Sequence, residues 1–293
     1  MTFQFIGVEM LSIFIMYSSD RKTALEITIE CLKDMTLYEE CQKTLIVDGQ
    51  NNILIPGWNI VEVPRVDDGS FCWAHMWDAG VATARYENVL YLDSDRLLPK
   101  EFLSQVAEHV VDDAFVFTSN HFMISQELPV KDCKRLVKEG TSEFVGMVRY
   151  EQRAKQPVHG PGKNVMSGST AFTKKTYYRL GGVDAWYRGH GAYADTDFHF
   201  SAQVAGCQFI DLGLMEYHFP HTKDQEGKSL NKMELRRLGL DNYIYYCYKW
   251  GLPSIFAENI AHECNLKSPA KYVAVKMNEL KEQLGKSPWD LRE

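Results

Sequence analysis

The sequence lacks the features that would place it in several broad classes. Only 20 of its 293 residues are Gly and 10 are Pro, and 45% are hydrophobic, which excludes collagen, low-complexity polymers and intrinsic disorder. Long apolar runs are missing. The most membrane-like stretch, residues 3 to 17, contains Gln4 and Glu9, falls short of about 18 apolar residues and has neither a basic leader nor a cleavage site. Cysteine is present without pattern: the seven positions (31, 41, 72, 133, 207, 247 and 264) are widely scattered and form no Cys-x-x-Cys, so reduced thiols and a cytoplasmic setting are expected, with no disulfide framework and no structural zinc. Positive charge is also in deficit. The 32 Lys and Arg against 39 Asp and Glu leave a net charge of -7, which works against broad binding to nucleic acid.

What is present is enough for one large domain, since a chain of this length buries about three quarters of its unfolded surface. In the first half strand and helix patterns alternate, the signature of a mostly parallel sheet flanked by helices. Residues 11–17, 44–47, 58–63, 88–92 and 114–118 read as strands, and residues 24–35, 71–84 and about 100–109 as helices. Between residues 126 and 165 the pattern dissolves into a mixed polar stretch with a turn-rich His159-Gly160-Pro161-Gly162, which reads as a flap or insertion. Regularity resumes with a strand at 168–172, a helix near 174–179 and a helix at about 195–205. From residue 229 to 293 the periodicity is helical and rich in tyrosine. Residues 1–228 are therefore taken as the main domain and 229–293 as a helical extension.

Three local features carry chemistry. In Asn88-Val89-Leu90-Tyr91-Leu92-Asp93-Ser94-Asp95 a buried strand delivers two carboxylates to the carboxyl edge of the sheet, where α/β folds bind ligands. Paired carboxylates suit a hard cation bridging to a diphosphate, Mn²⁺ or Mg²⁺; the alternative is that they cap the helix after Pro99. The block from Gly181 to Phe198 combines glycines, aromatic rings and the carboxylates Asp184, Asp195 and Asp197, which suits a hydroxyl-rich ligand, with Asp195 as a plain N-cap the alternative. Finally, Glu216-Tyr217-His218-Phe219-Pro220-His221 sets two histidines three apart on what reads as an irregular segment, able to place an imidazole on the same metal.

In this order and at these separations, from Ser12 to His221, the features resemble the GT-A glycosyltransferases, in particular the family 2-like group with a galactosyltransferase-type carboxyl-terminal segment. One departure is Ala194, where a Glu is usual before Asp195. The resemblance implies a Rossmann-like α/β fold and a metal-dependent, inverting transfer from a nucleotide-sugar, UDP preferred, to a glycan or other hydroxyl acceptor. It also implies site roles: Ser18, Asp20 and Arg21 lining the nucleotide, Asp48 accepting from the base with Arg65 nearby, Asp95 on the metal, and Asp93 on it through water or on the ribose. His218 or His221 would complete the metal shell. Asp195 is the implied base, Asp197 its rival, and Asp184 a donor-sugar contact or loop cap. His159 and Lys163 are candidates to clamp phosphate or to lie in a solvated loop.

Other readings remain open. A haloacid-dehalogenase-like phosphatase also places Asp-x-Asp after a strand, although that motif stands early in the chain and expects Thr or Val where Leu97 stands here. A nucleotide-sugar or carbohydrate-binding module would keep the fold without turnover. A nucleic-acid acceptor would use Arg236-Arg237 and the tyrosine-rich tail as a stacking groove, against the net charge.

Overall fold

The computed structural model describes residues 10–17, 21–49, 52–65, 72–124, 128–139, 148–151, 168–187, 193–219, 224–225, 228–229 and 232–285. Ser18, Asp20, His159, Lys163 and His221 lie outside them. In chain order the main elements are β1 (Leu11–Tyr17), α1 (Lys22–Leu32), β2 (Gln42–Asp48), β3 (Asn59–Val63), α2 (Trp73–Thr83), β4 (Asn88–Asp93), β5 (Arg96–Leu97), α3 (Phe102–His109), β6 (Ala114–Phe117), β7 (Asn120–Ile124), α4 (Val130–Glu139) and β8 (Val148–Glu151). There follow β9 (Ser169–Thr173), α5 (Lys174–Arg179), α6 (Ala194–Val204), β10 (Gln208–Asp211), β11 (Met215–His218) and the tail helices α7 (Lys232–Lys249), α8 (Ser254–Glu263) and α9 (Pro269–Leu284).

The main sheet runs β10-β6-β9-β4-β1-β2-β3, with β9 antiparallel to both of its neighbours and every other pairing parallel. All seven residues of β1 are buried, as expected of a strand covered on both faces. Its alternate side chains divide between two cores. Phe14 and Met16 pack with α2, α6 and the tail, whereas Ile13 and Ile15 pack with Leu25 and Ile29 of α1 and Phe102 and Leu103 of α3. A smaller sheet, β5-β11-β7-β8, lies beside it.

Close packing explains a glycine inside α2. A Cβ on Gly80 would come 2.4 Å from the Phe14 ring, and that ring packs edge-on against Trp77 with centroids 5.7 Å apart. Overpacking of this kind costs about 1–3 kcal/mol, more than the ~1 kcal/mol that alanine gains as a helix former. Gly80→Ala is therefore expected to lower the urea midpoint at unchanged slope; an equal or higher midpoint would show that the ring moves freely.

Two expectations change. The stretch 126–165 is not irregular throughout: it contains α4, whose Cys133 and Leu136 are buried with Ile27, Cys31, Leu97 and Tyr217, and β8, which pairs with β7. Four Lys or Arg and two Asp or Glu in ten residues hide that narrow apolar stripe in the composition. The tail tyrosines, in turn, are not a stacking surface, because Tyr243 and Tyr246 are fully buried in the core shared with α2 and α6. All seven cysteines are buried and unpaired with one another. Among the described residues no helix is long and apolar enough to cross a membrane.

Candidate functional site

Four parallel strands end on one rim. In register Met16 of β1 lies beside Asp93 of β4, Tyr17 beside Val47 of β2, and Asp48 beside Val63 of β3. This aligns Asp48, Arg65, Asp93 and Asp95 along the carboxyl edge. At the β2 and β3 end the Arg65 Nη2 donates to Asp48 Oδ2 at 2.9 Å, with the carboxylate 5% exposed and the guanidinium 45%. Gly49 closes the strand with φ +70° and donates its N–H to the Val63 carbonyl at 2.8 Å, a left-handed turn that glycine makes without strain.

The Asp-x-Asp turn leads from β4 into β5 and not into a helix. Because α3 begins only at Phe102, with Glu101 flanking it, the capping alternative falls away. The turn is fixed by Thr28 Oγ1 donating to the Ser94 carbonyl at 3.2 Å and by the Phe219 N–H donating to the Asp95 carbonyl at 3.0 Å. Asp95 is buried; its Oδ2 accepts from Arg21 Nη1 at 2.9 Å and lies 3.5 Å from His218 Nε2. His218 stands there because it ends a strand, β11, in which it pairs with Arg96 of β5; the irregular segment expected at 216–221 is thus regular as far as 218. Burial pushes the Asp95 carboxyl up, but His218, Arg21 and Arg96 together outweigh it and hold the group well below the usual carboxylate range. Asp95 is a carboxylate at neutral pH.

Beneath this rim lies a buried charge network that sequence reasoning missed. Arg96 donates from Nη2 to Asp93 Oδ2 at 3.1 Å and from Nη1 to Glu216 Oε1 at 2.9 Å, and its Nε is 3.5 Å from Asp95 Oδ1. Glu216, fully buried, also faces His121 Nδ1 at 3.2 Å and accepts from the Ser169 hydroxyl. Burial pushes its carboxyl up, yet Arg96, His121 and Ser169 hold it below the ordinary value. The other Asp93 oxygen accepts from the Tyr91 hydroxyl. Gly168 donates space to this pair: a Cβ there would lie 2.2 Å from Arg96 Nε and 2.3 Å from Asp93 Oδ2. A charged residue inside an apolar strand, as in Met215-Glu216-Tyr217, was the available signal, since such charges are buried only when paired.

Asp195 sits half-buried in the first turn of α6, where the helix dipole favours a negative charge. Burial pushes the Tyr91 hydroxyl up, and the Asp93 and, more weakly, Asp195 carboxylates push the same way. Asp197 looks elsewhere. Its two oxygens accept from Lys249 Nζ and Trp250 Nε1, both at 2.7 Å. Burial pushes its carboxyl up by more than those partners lower it. Asp184 accepts from Lys249 Nζ and the Tyr245 hydroxyl at 2.8 Å and, as a loop cap, from the Trp186 N–H at 2.9 Å.

His199, one turn along α6, carries a pH signature. Its Nδ1 bonds the Asp195 carbonyl at 2.9 Å, its ring packs against Phe115, and burial pushes the imidazole down to about 4. The unfolded chain therefore takes up this proton first, so the stability that His199 lends is complete above the ordinary value of about 6.5 and is lost as pH falls toward 4, amounting to about 3 kcal/mol. Urea unfolding of His199→Gln is expected to show a shallower loss over that window than the parent chain; identical slopes would show that the buried imidazole is not the group titrating.

Among the described residues no three His, Cys, Asp or Glu side chains form a complete cation cage. Asp95 and His218 nevertheless offer a carboxylate oxygen and an imidazole nitrogen side by side, a donor set that Mn²⁺ accepts and that leaves positions for other oxygens. No protein-family model and no curated protein sequence matches the chain. Solved structures do. A structure of GalNAc-T7 with UDP, GalNAc and Mn²⁺ superposes with TM-score 0.58 at 11% identity over 97% of this chain and 56% of that one. One of S. aureus TarS, residues 1–349, with UDP-GlcNAc gives TM-score 0.51 at 10% identity over 94% and 76%. The chain thus spans little more than half of the GalNAc-T7 structure. What this likeness shows is the architecture: a mostly parallel sheet flanked by helices with a helical carboxyl-terminal region, the GT-A fold.

Proposed function

We propose that this GT-A chain transfers a sugar from a nucleoside diphosphate donor, UDP preferred, to a hydroxyl acceptor with inversion at the anomeric carbon. The observation that carries the reading is the shared rim of Arg21, Asp48, Asp93, Asp95 and His218, on a fold whose solved GalNAc-T7 example holds UDP and Mn²⁺. Residues 1–228 form the transferase unit in this reading, and 229–293 its helical buttress.

Each group then has a task. Asp48, steadied by Arg65, accepts from the donor base, and Ser18, Asp20 and Arg21 line the nucleotide. Asp95, with His218 or His221, would hold a divalent ion, Mn²⁺ or Mg²⁺; Asp93, engaged by Tyr91 and Arg96, reaches the ribose or acts through water. When bound, that ion supplies Lewis-acid stabilisation of charge on the departing diphosphate. Asp195 takes the proton from the acceptor hydroxyl as its oxygen bonds to the anomeric carbon from the face opposite the leaving group, and the bond to the diphosphate oxygen breaks. Asp184 and Asp197 hold the junction with the tail. The phosphatase reading fares worse, because both Asp93 oxygens are already engaged and the motif stands on the fourth strand. Turnover separates an enzyme from a binding module.

Thermal unfolding against nucleoside diphosphates and nucleotide-sugars tests the reading, since a ligand of the folded form alone raises the midpoint. A rise with a UDP compound that needs Mn²⁺ and vanishes in Asp95→Ala is expected. No rise with any compound, with or without metal, would contradict it.

A further inference from the structure

Both ends of the glycine-rich segment between Tyr187 and Tyr193 are tied to α7. The ammonium of Lys249 sits between Asp184 Oδ2 at 2.8 Å and Asp197 Oδ2 at 2.7 Å, so one side chain of the tail joins the loop before that segment to the helix after it. Trp250 adds its indole N–H to Asp197 Oδ1, and its ring packs edge-on against Phe200, centroids 4.4 Å apart. Tyr193, the residue before α6, has φ +92°, a left-handed conformation that costs a non-glycine residue about 1–3 kcal/mol. It is held there against Tyr243 of α7, rings stacked at 4.6 Å.

The contacts of Lys249 and Trp250 with Asp197 and of Tyr243 with Tyr193 hold the start of α6 from both sides of Asp195, which lies between Tyr193 and Asp197. We infer that Lys249 is a positioning residue for Asp195, through which the tail sets the direction of the base and so belongs to the catalytic unit. The inference rests on the proposed role of Asp195. The carboxylates that Lys249 bridges, Asp184 and Asp197, flank the glycine-rich segment and the start of α6, so its loss is expected to leave donor binding in place while turnover falls. A purely structural role would lower both together.

The test uses the full chain with UDP-GlcNAc, UDP-GalNAc and UDP-glucose, each with Mn²⁺, reading the rise in Tm and the release of UDP as the sugar passes to water. For Lys249→Met, kcat is expected to drop by about tenfold or more, with KM and the ligand-induced Tm rise kept, as for misorientation of a reacting group. Lys249→Arg, able to bridge both carboxylates, is expected to recover most of the rate. Should Lys249→Met fold poorly, Trp250→Phe removes one hydrogen bond and keeps the ring; its kcat is expected to fall by a smaller factor at unchanged KM. A rate within twofold of the parent in both variants, or parallel loss of rate and Tm rise, overturns the inference. The reading beneath it fails separately: in that case Asp195→Asn keeps its rate, or the parent chain neither gains Tm nor releases UDP with any of the three donors.

Discussion

Arg96→Met is expected to lower the unfolding free energy by about 3–5 kcal/mol, the usual cost of breaking a buried charge cluster from one side. The guanidinium is 9% exposed and faces three carboxylates, those of Asp93, Asp95 and Glu216. Without it Glu216 retains His121 and Ser169, and Asp95 retains Arg21 and His218, but Asp93 keeps only the Tyr91 hydroxyl among the contacts described above. Glu216→Met in the same background is expected to restore part of the loss, because it removes a stranded charge and replaces it with a side chain of similar length. Urea unfolding of the two single variants and the double variant, read as a cycle, isolates the coupling. Additive losses would show that Arg96 and Glu216 do not act as a pair.

Asp195→Asn is expected to reduce sugar transfer by about 10²–10⁴-fold, the range for removing a positioned general base, while the Mn²⁺-dependent rise in Tm with UDP stays. Asparagine keeps the shape and an oxygen able to accept from the Thr196 N–H, as Asp195 Oδ1 does at 2.7 Å, so the helix start is preserved. Asp197→Asn should behave differently. Its carboxylate is committed to Lys249 and Trp250, and the expected effect is a lower Tm before any change in the chemical step. If the aspartate nearer the tail proved the one essential to chemistry with stability intact, the two roles would have to be exchanged.

The contrast between the two aspartates shows where reading the chain works. That Asp48 and Asp93 end strands on one edge, with Asp95 in the turn just beyond, was legible because an apolar strand ending in a carboxylate is a local pattern, and a parallel sheet sends such endings to one edge. That Asp195 and Asp197 face different neighbours was not, since they are two residues apart on one helix turn and only the tail tells them apart. Arg96 and Glu216 meet across 120 positions, and Lys249 meets Asp184 across 65; no local periodicity encodes such pairings. The fold followed the alternation of strand and helix closely, with α4 escaping notice because its buried stripe is narrow and its exposed faces are strongly charged. His218 was singled out by its chemistry as a candidate ligand, and its place at the end of β11, opposite Arg96, comes only from the strand register.

The most direct test of the central claim, that the rim around Asp95 and His218 is a metal-dependent nucleotide site, is to titrate Mn²⁺ into the chain with and without UDP while following the free-ion signal by electron paramagnetic resonance. The account expects the signal to be suppressed to one ion per chain when UDP is present, with little suppression in its absence, and expects this to disappear in Asp95→Ala. Equal suppression in the parent chain and in Asp95→Ala, or none in either, would contradict it.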